Sequence, residues 1–371
     1  MSSESNHKLM LIALPIFLAI STGFVVVGVY LERKISAFIQ DRLGPMEVGK
    51  WGLLQLIADL LKLLQKEDIV PTAADRPLFL LAPAVIFASV FAGYAVLPLT
   101  PDLQGSDASV GVFYLMAVTS FDVVGLLMAG WGSNNKYSLL GAMRSVAQII
   151  SYEIPLGLTI LCVVMICQTL NLQEMSFQQG IHSYETNYLF GLKALNINVT
   201  DIGGILTWNI LRNPFLLVAY PIFFICTLAE SNRAPFDLPE GESEIVAGYH
   251  TEYSGMRFAL LYLSEYAMML LVSILGAVLF LGSWNTPLPN LGPARLADWT
   301  SSLPGTVAGN LWGAFWLLTK TLGAVLVQMW IRWTLPRVRI DQMMFLCWKV
   351  LTPAALVLLL LSGVWRLLMV G

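Results

Sequence analysis

Eight apolar runs of roughly twenty residues recur along this chain, at 9–31, 78–97, 112–130, 143–169, 214–229, 258–281, 311–331 and 345–368. A helix needs about that length to cross the hydrocarbon of a bilayer. No water is available there, so each backbone polar group must be bonded within its own segment, which leaves helices or closed barrels. The chain therefore reads as all-α, a single membrane domain over residues 1–371 with about eight transmembrane helices. Its charged fraction agrees: 12% of residues, against about 25% in a soluble domain. The first run is too long for a signal-peptide core and has no small-residue cleavage pattern behind it, so it is expected to stay as a helix.

The net charge of −3 offers no global basic surface for nucleic acid. Four cysteines lie inside apolar runs without a C-x-x-C pair, and the three histidines are scattered. Metal and iron–sulfur sites need clustered thiolates or imidazoles, so buried free thiols and no metal are expected. There is no glycine-rich nucleotide loop. Any electrons must arrive through another subunit.

Lysine and arginine fall mostly on one side. The loops after runs one, three, five and seven, with their helix ends, hold fifteen of the 21; five lie opposite and Lys320 lies within a run. By the positive-inside rule the richer side faces the cytoplasm. That side carries the acidic loop 230–257, whose core E-S-N-R-A-P-F-D-L-P-E-G-E-S-E holds Glu230, Asp237, Glu240, Glu242 and Glu244, with Glu252 beyond. Carboxylates packed this closely titrate as a group, which is what proton handling requires. The blander alternative is a solvated loop between two helices. Pro235 and Pro239 stop the helix, and Arg233 is expected to pair with Glu230 or Asp237.

The cytoplasmic loop 32–76 contains a second pattern. Residues 50–64 are too short to span, yet Gln55, Asp59 and Lys62 fall on one helical face of an otherwise apolar stretch. A helix at the membrane surface with one polar stripe is expected. Inside the runs stand Asp122, Glu153 beside Pro155, and Glu265, and an intramembrane acid is a functional candidate by default. Lys320 should find a buried carboxylate or a wet pocket. The polar insert 170–212 is given no chemistry, and its Asn198-Val199-Thr200 triplet is weak evidence of glycosylation. The basic turn 332–342 suits lipid headgroups or a partner. Should the acid-bearing helices pack together, titratable groups would run from the loop into the membrane. A cavity beside them would suit a ligand with a polar head and a long apolar tail.

Several segments together resemble one family: E-R-K at 32–34, Q-D-R-L-G-P at 40–45, Q-L-I-A-D-L-L-K-L-L-Q-K-E-D at 55–68, the acidic loop, and R-V-R-I-D-Q-M-M-F-L-C-W-K at 337–349. They are similar to the membrane subunit of complex I through which quinone enters, subunit 1 of NAD(P)H-quinone oxidoreductase, over nearly the whole chain. G-S-N-N-K-Y-S and R-W-T-L-P-R look most like its cyanobacterial and plastid version. The resemblance implies plastoquinone as substrate, a thylakoid membrane, and ferredoxin or NAD(P)H as donor. It implies no cofactor on this chain, iron–sulfur clusters in partner subunits, and assembly with other membrane and peripheral subunits among lipids. It implies a quinone tunnel lined by Arg33, Arg42, Gln55, Asp59 and Lys62 and flanked by Arg233, Phe236 and Asp237. It assigns proton coupling to Asp122, Glu153, Glu230, Glu240, Glu242, Glu244 and Glu252. Two alternatives stand beside it: the related subunit of an energy-converting hydrogenase, which need not bind quinone, and a stand-alone ion-coupled transporter, which calls for inverted repeats.

Overall fold

In the computed structural model, residues 3–183, 186–192, 198–239, 241–291 and 294–370 are described. The first half comprises α1 (Ser3–Ile39), the surface helix α2 (Gln55–Gln65), α3 (Arg76–Gly93), α4 (Gly111–Thr119), α5 (Phe121–Gly132) and α6 (Lys136–Cys167). Short helices α7 (Leu172–Phe177), α8 (Val199–Ile202) and α9 (Asn209–Arg212) follow, and then α10 (Pro214–Glu230). The acidic loop contains α11 (Glu242–Ile245). Beyond it come α12 (Gly255–Leu279), a hairpin of β1 (Asn290–Leu291) and β2 (Ala294–Arg295), α13 (Leu296–Trp299), α14 (Val307–Thr334), α15 (Ile340–Phe345) and α16 (Thr352–Val370). Among the described residues, seven helical spans are long and apolar enough to cross a membrane. The eighth expected span is α10, whose 17 residues sit at the lower limit for crossing.

Helix α12 is the centre. Every residue from 266 to 279 is buried, as expected for a helix apolar on all sides. It packs on α1, α3, α10 and α14, while α6 gathers α5, α10 and α16 around itself. Small residues set the closest approaches. A Cβ at Gly125 of α5 would lie 2.4 Å from Ile86 of α3. Interhelical packing in lipid relies on such contacts because apolar burial gives no preference there.

Three departures from the sequence expectation have local causes. The surface helix starts at Gln55 and not at residue 50, because Gly49 and Gly52 both adopt positive φ and a Cβ on Gly52 would meet the Pro45 carbonyl at 2.3 Å. The third span is broken into α4 and α5 at Ser120. There the Thr119 and Ser120 hydroxyls donate back to the Leu115 and Met116 carbonyls, which bends helices. In α6, Pro155 supplies no N–H to the Ser151 carbonyl one turn earlier, and the Cys347 thiol donates there instead, at 3.0 Å. Cys347 lies in a π-helical turn, Leu346–Leu351, between α15 and α16.

The described part of the insert 170–212 caps the end of α12. Gln179 donates to the Val278 carbonyl at 2.7 Å and accepts from the amides of Asn209 and Gly282. Asn209 donates to the Leu279 carbonyl. These are among the carbonyls a helix end leaves unsatisfied. Asn198 is used locally: it caps α8 by accepting from the Thr200 amide and donates to Asp201. Among the described residues, Lys320 meets carbonyls and no carboxylate. Its ammonium donates to the Ser283 and Asn285 carbonyls and lies 4.5 Å from the Trp208 ring centroid, because the chain leaving α12 turns those carbonyls toward α14. Gln179→Ala is expected to destabilise the chain by about 3 kcal/mol, since several buried groups lose partners together. A lowered unfolding midpoint in detergent checks this.

Candidate functional site

Two hollows organise the charged residues. The larger, about 660 Å³, lies between α1, α2, α12 and the end of α14. Its upper wall is apolar, with Val25, Val29, Leu56, Leu60 and Leu263; its floor is ionic. Helix α2 lies across the opening and buries no residue fully. The loop behind it is stapled to the start of α12 by the Arg257–Asp68 ion pair at 2.9 Å and by Ser254, which donates to the Glu67 carbonyl.

At the rim, Arg33 pairs with Asp59 at 2.6 Å, and Gln55 donates to the other Asp59 oxygen at 3.3 Å. Deeper, Glu32 is 5% exposed and accepts from three donors: Arg332, Arg233 Nη1, which lies 3.3 Å from both carboxylate oxygens, and the Tyr266 hydroxyl at 2.5 Å. The Arg233 guanidinium stacks 4.1 Å from the centroid of Tyr266. Burial works against the charge on Arg233, but Tyr266, Glu32 and Glu265 outweigh it and hold its pKa well above the ordinary value. The cation is thus fixed between the ionic floor and α12.

The smaller hollow, about 10 Å³, has room for about one water and is lined by Asp122, Glu230, Glu265, Tyr249, Asn232 and Ser264. Asp122 Oδ1 and Glu230 Oε2 are buried with no hydrogen-bond partner among the described residues. Glu265 accepts from the Tyr249 hydroxyl at 2.8 Å and lies 3.2 Å from His250 Nε2. Half-buried Glu153 is an electrostatic neighbour of both Asp122 and Glu230 and lies beside Ser120 at the α4–α5 break. Arg233 feels Glu265, which lines the small hollow, as well as Glu32, which lines the large one.

The placement of the expected site residues is mixed. Arg33, Arg42, Asp59 and Lys62 line the large hollow, and Gln55 braces Asp59 from behind. Arg233 stands one residue behind that surface, bonded to Glu32 rather than to Glu230 or Asp237. The turn at Ser231 and Asn232 aims it across to α1, a contact spanning 201 residues that no local pattern reveals. Phe236 and Asp237 line neither hollow. Phe236 is buried 5.3 Å from Tyr152, and Asp237 is taken by Arg337 at 3.0 Å. Asp122 and Glu230 share the small void and Glu153 adjoins it. Glu244 is ion-paired with Arg144 and mostly exposed, and Glu252 accepts from Asn135, so neither reaches the void. Glu240 lies outside the described residues, and of Glu242 only the backbone, in α11, is described.

Five residues enter the site that the residue assignments above left out: Glu32, Tyr266, Arg332, Glu265 and His250. Glu265 carried the same signal as Asp122, an acid inside an apolar run. Glu32 lay within the E-R-K segment, where only Arg33 was singled out. Tyr266, Arg332 and His250 had no local signal, since their partners lie on other elements.

The chain is similar to known proteins over most of its length. A family model described as NADH dehydrogenase matches residues 11–363. The chain is 62% identical to the second H-type subunit of NADH-quinone oxidoreductase from Cytophaga hutchinsonii, over 92% of this chain and 95% of that protein. It is 52% identical to the H-type subunit of the same oxidoreductase from Chlorobium luteolum, over 92% and 84% of the two chains. For the corresponding protein of Anaeromyxobacter dehalogenans the identity is 42%, over 99% and 85%.

Proposed function

Because the chain belongs to the NADH dehydrogenase family, we propose that it serves as the H-type membrane subunit of a proton-pumping NADH-quinone oxidoreductase. In this reading it houses the quinone and passes the effect of its reduction to buried carboxylates. The chain alone is a subunit without a complete redox centre. Its partners are the other membrane and peripheral subunits, the latter holding the iron–sulfur clusters that supply electrons.

One arrangement supports this mechanism: the large hollow has greasy walls and an ionic floor, and Arg233, bonded to Glu32 of that floor, is also within electrostatic reach of Glu265 at the acid-lined void. A quinone has the same polarity, an apolar isoprenoid tail and a polar head. The tail suits the walls formed by α1, α2 and α12; the head suits the floor of Glu32 and Arg332 and the charged rim of Arg33 and Asp59. When the head gains electrons from a partner subunit, negative charge develops beside this floor. Few charges there are screened by water, so the change acts strongly on Arg233 and its carboxylates. Glu265, Asp122, Glu230 and Glu153 then redistribute protons as a coupled set.

The finer expectations have narrower support. Plastoquinone, NADP, ferredoxin and a thylakoid membrane rest on the wording of residues 132–138 and 332–337. The relatives named above support NADH as donor and a quinone of unspecified head group. The cytoplasmic orientation of the acidic loop rests on the distribution of Lys and Arg. Identifying the quinone that copurifies with the complex separates these readings.

Asp59→Ala tests the site itself. It leaves Arg33 and Gln55 without their shared partner at the rim, and the KM for quinone is expected to rise about tenfold, equivalent to about 1.4 kcal/mol. An unchanged dependence on quinone concentration removes Asp59 from the site.

A further inference from the structure

We propose that His250 is a positioning residue that exchanges a proton with Glu265, one of the carboxylates around the small void. This deepens the reading above and rests on it.

The geometry is specific. His250 is 5% exposed, and its Nε2 lies 3.2 Å from Glu265 Oε1. Its ring stacks 4.0 Å from Tyr249, which lines the small void and donates to that same Glu265 oxygen. On its other side it meets the edge of Phe258, which lines the large hollow, at 5.5 Å. One imidazole therefore touches a wall residue of each chamber.

The turn that carries it, Gly248–His250, is clamped. Gly248 has φ +54°, and a Cβ there would lie 1.7 Å from the Pro239 carbonyl. A Cβ on Gly141 of α6 would lie 2.6 Å from the Gly248 Cα. Backbone is thus wedged against backbone on two sides, and the ring is held where it stands. Packing alone would not call for an imidazole here: a phenyl ring would fill the same space without a polar atom facing a carboxylate.

An imidazole can take a proton at one nitrogen while giving one up from the other, and its ordinary titration falls between pH 5 and 8. In the exchange step the ring starts as the imidazolium: its Nε2–H bond breaks and an O–H bond forms on the Glu265 carboxylate, leaving a neutral ring and a neutral acid. The reverse step returns the proton to Nε2. No electrons move in either direction. The titratable and charged groups around the ring are Glu265 from α12 and Tyr249 from its own turn, with Asp122 of α5 across the void that those two line, Tyr262 beyond Phe258, and Arg233 beyond Glu265. Glu252 and Arg144 are engaged by Asn135 and Glu244 respectively.

The test uses the assembled complex in native membranes. His250→Gln keeps an amide donor near Glu265 but cannot exchange protons through the side chain. NADH-driven quinone reduction, proton translocation and quinone KM are measured from about pH 6 to 8, across the imidazole range. The expected result is normal assembly and an unchanged KM. Proton-coupled turnover should fall on the order of a hundredfold, and the pH inflection near neutrality should disappear. A turnover and pH profile matching the unsubstituted complex overturn the proposal while leaving the cavity reading to the Asp59→Ala result. Should the Gln variant not accumulate, His250→Asn replaces it. If neither amide assembles, the ring serves packing and the proposal falls.

Discussion

Arg233→Ala is expected to cost the folded subunit about 3–5 kcal/mol and to abolish quinone-dependent turnover in whatever complex still assembles. The guanidinium is 5% exposed, bonded to Glu32 and stacked on Tyr266. Removing it leaves Glu32 with Arg332 and Tyr266 but without its deeper cation, in a place where a lone charge is poorly solvated. Glu265 loses its nearby cation at the same time. The contact between the two hollows would therefore fail at both ends. Arg233→Lys should not restore function, because an ammonium lacks the planar face that lies over the Tyr266 ring while Nη1 meets Glu32. Accumulation in the membrane and quinone reductase rate are the two measurements. A well-assembled Arg233→Ala complex with normal reductase rate would show that the hollows are not linked through this residue.

The second large effect is expected at Glu230. Glu230→Gln keeps the shape of the side chain, so assembly should survive, yet the amide cannot load and release a proton. Glu230 lines the small void with Asp122 and Glu265, and its Oε2 has no hydrogen-bond partner among the described residues. That is the position of a group that exchanges protons with its neighbours rather than one fixed in an ion pair. Proton-coupled turnover should fall on the order of a hundredfold. Glu244→Gln gives the contrast: it loses an exposed pair with Arg144, worth about 0–1 kcal/mol, and should produce the smaller loss. Proton translocation in vesicles, normalised to the amount of assembled complex, measures both. Full translocation by the Glu230 variant would take that carboxylate out of the path.

The comparison of Asp122 with Arg233 shows what could be read in advance. Asp122 announced itself because a carboxylate in an apolar run is costly wherever the run packs. The amphipathic stripe of α2 was similarly legible, since Gln55, Asp59 and Lys62 repeat at helical spacing. The partner of Arg233 was not legible. Glu230 and Asp237 were near in sequence, yet the chain turns at Ser231 and Asn232 and delivers the guanidinium to Glu32 on α1. The resemblance placed Phe236 and Asp237 beside the quinone tunnel; in the fold Phe236 packs near Tyr152 and Asp237 pairs with Arg337. The break at Ser120 was also hidden, because Thr119 and Ser120 satisfy backbone carbonyls inside a run that hydropathy reads as continuous.

By itself the sequence determined that this chain must be a bundle of membrane-crossing helices with a surface helix and acids placed at depth. Those properties follow from local composition, since lipid forces every apolar span to bond its own backbone. Only the tertiary structure decided which acids share a void, which carboxylate Arg233 meets, and that His250 faces Glu265. Charge pairing depends on separation in space, and here the deciding contacts join residues that lie 201 and 300 positions apart.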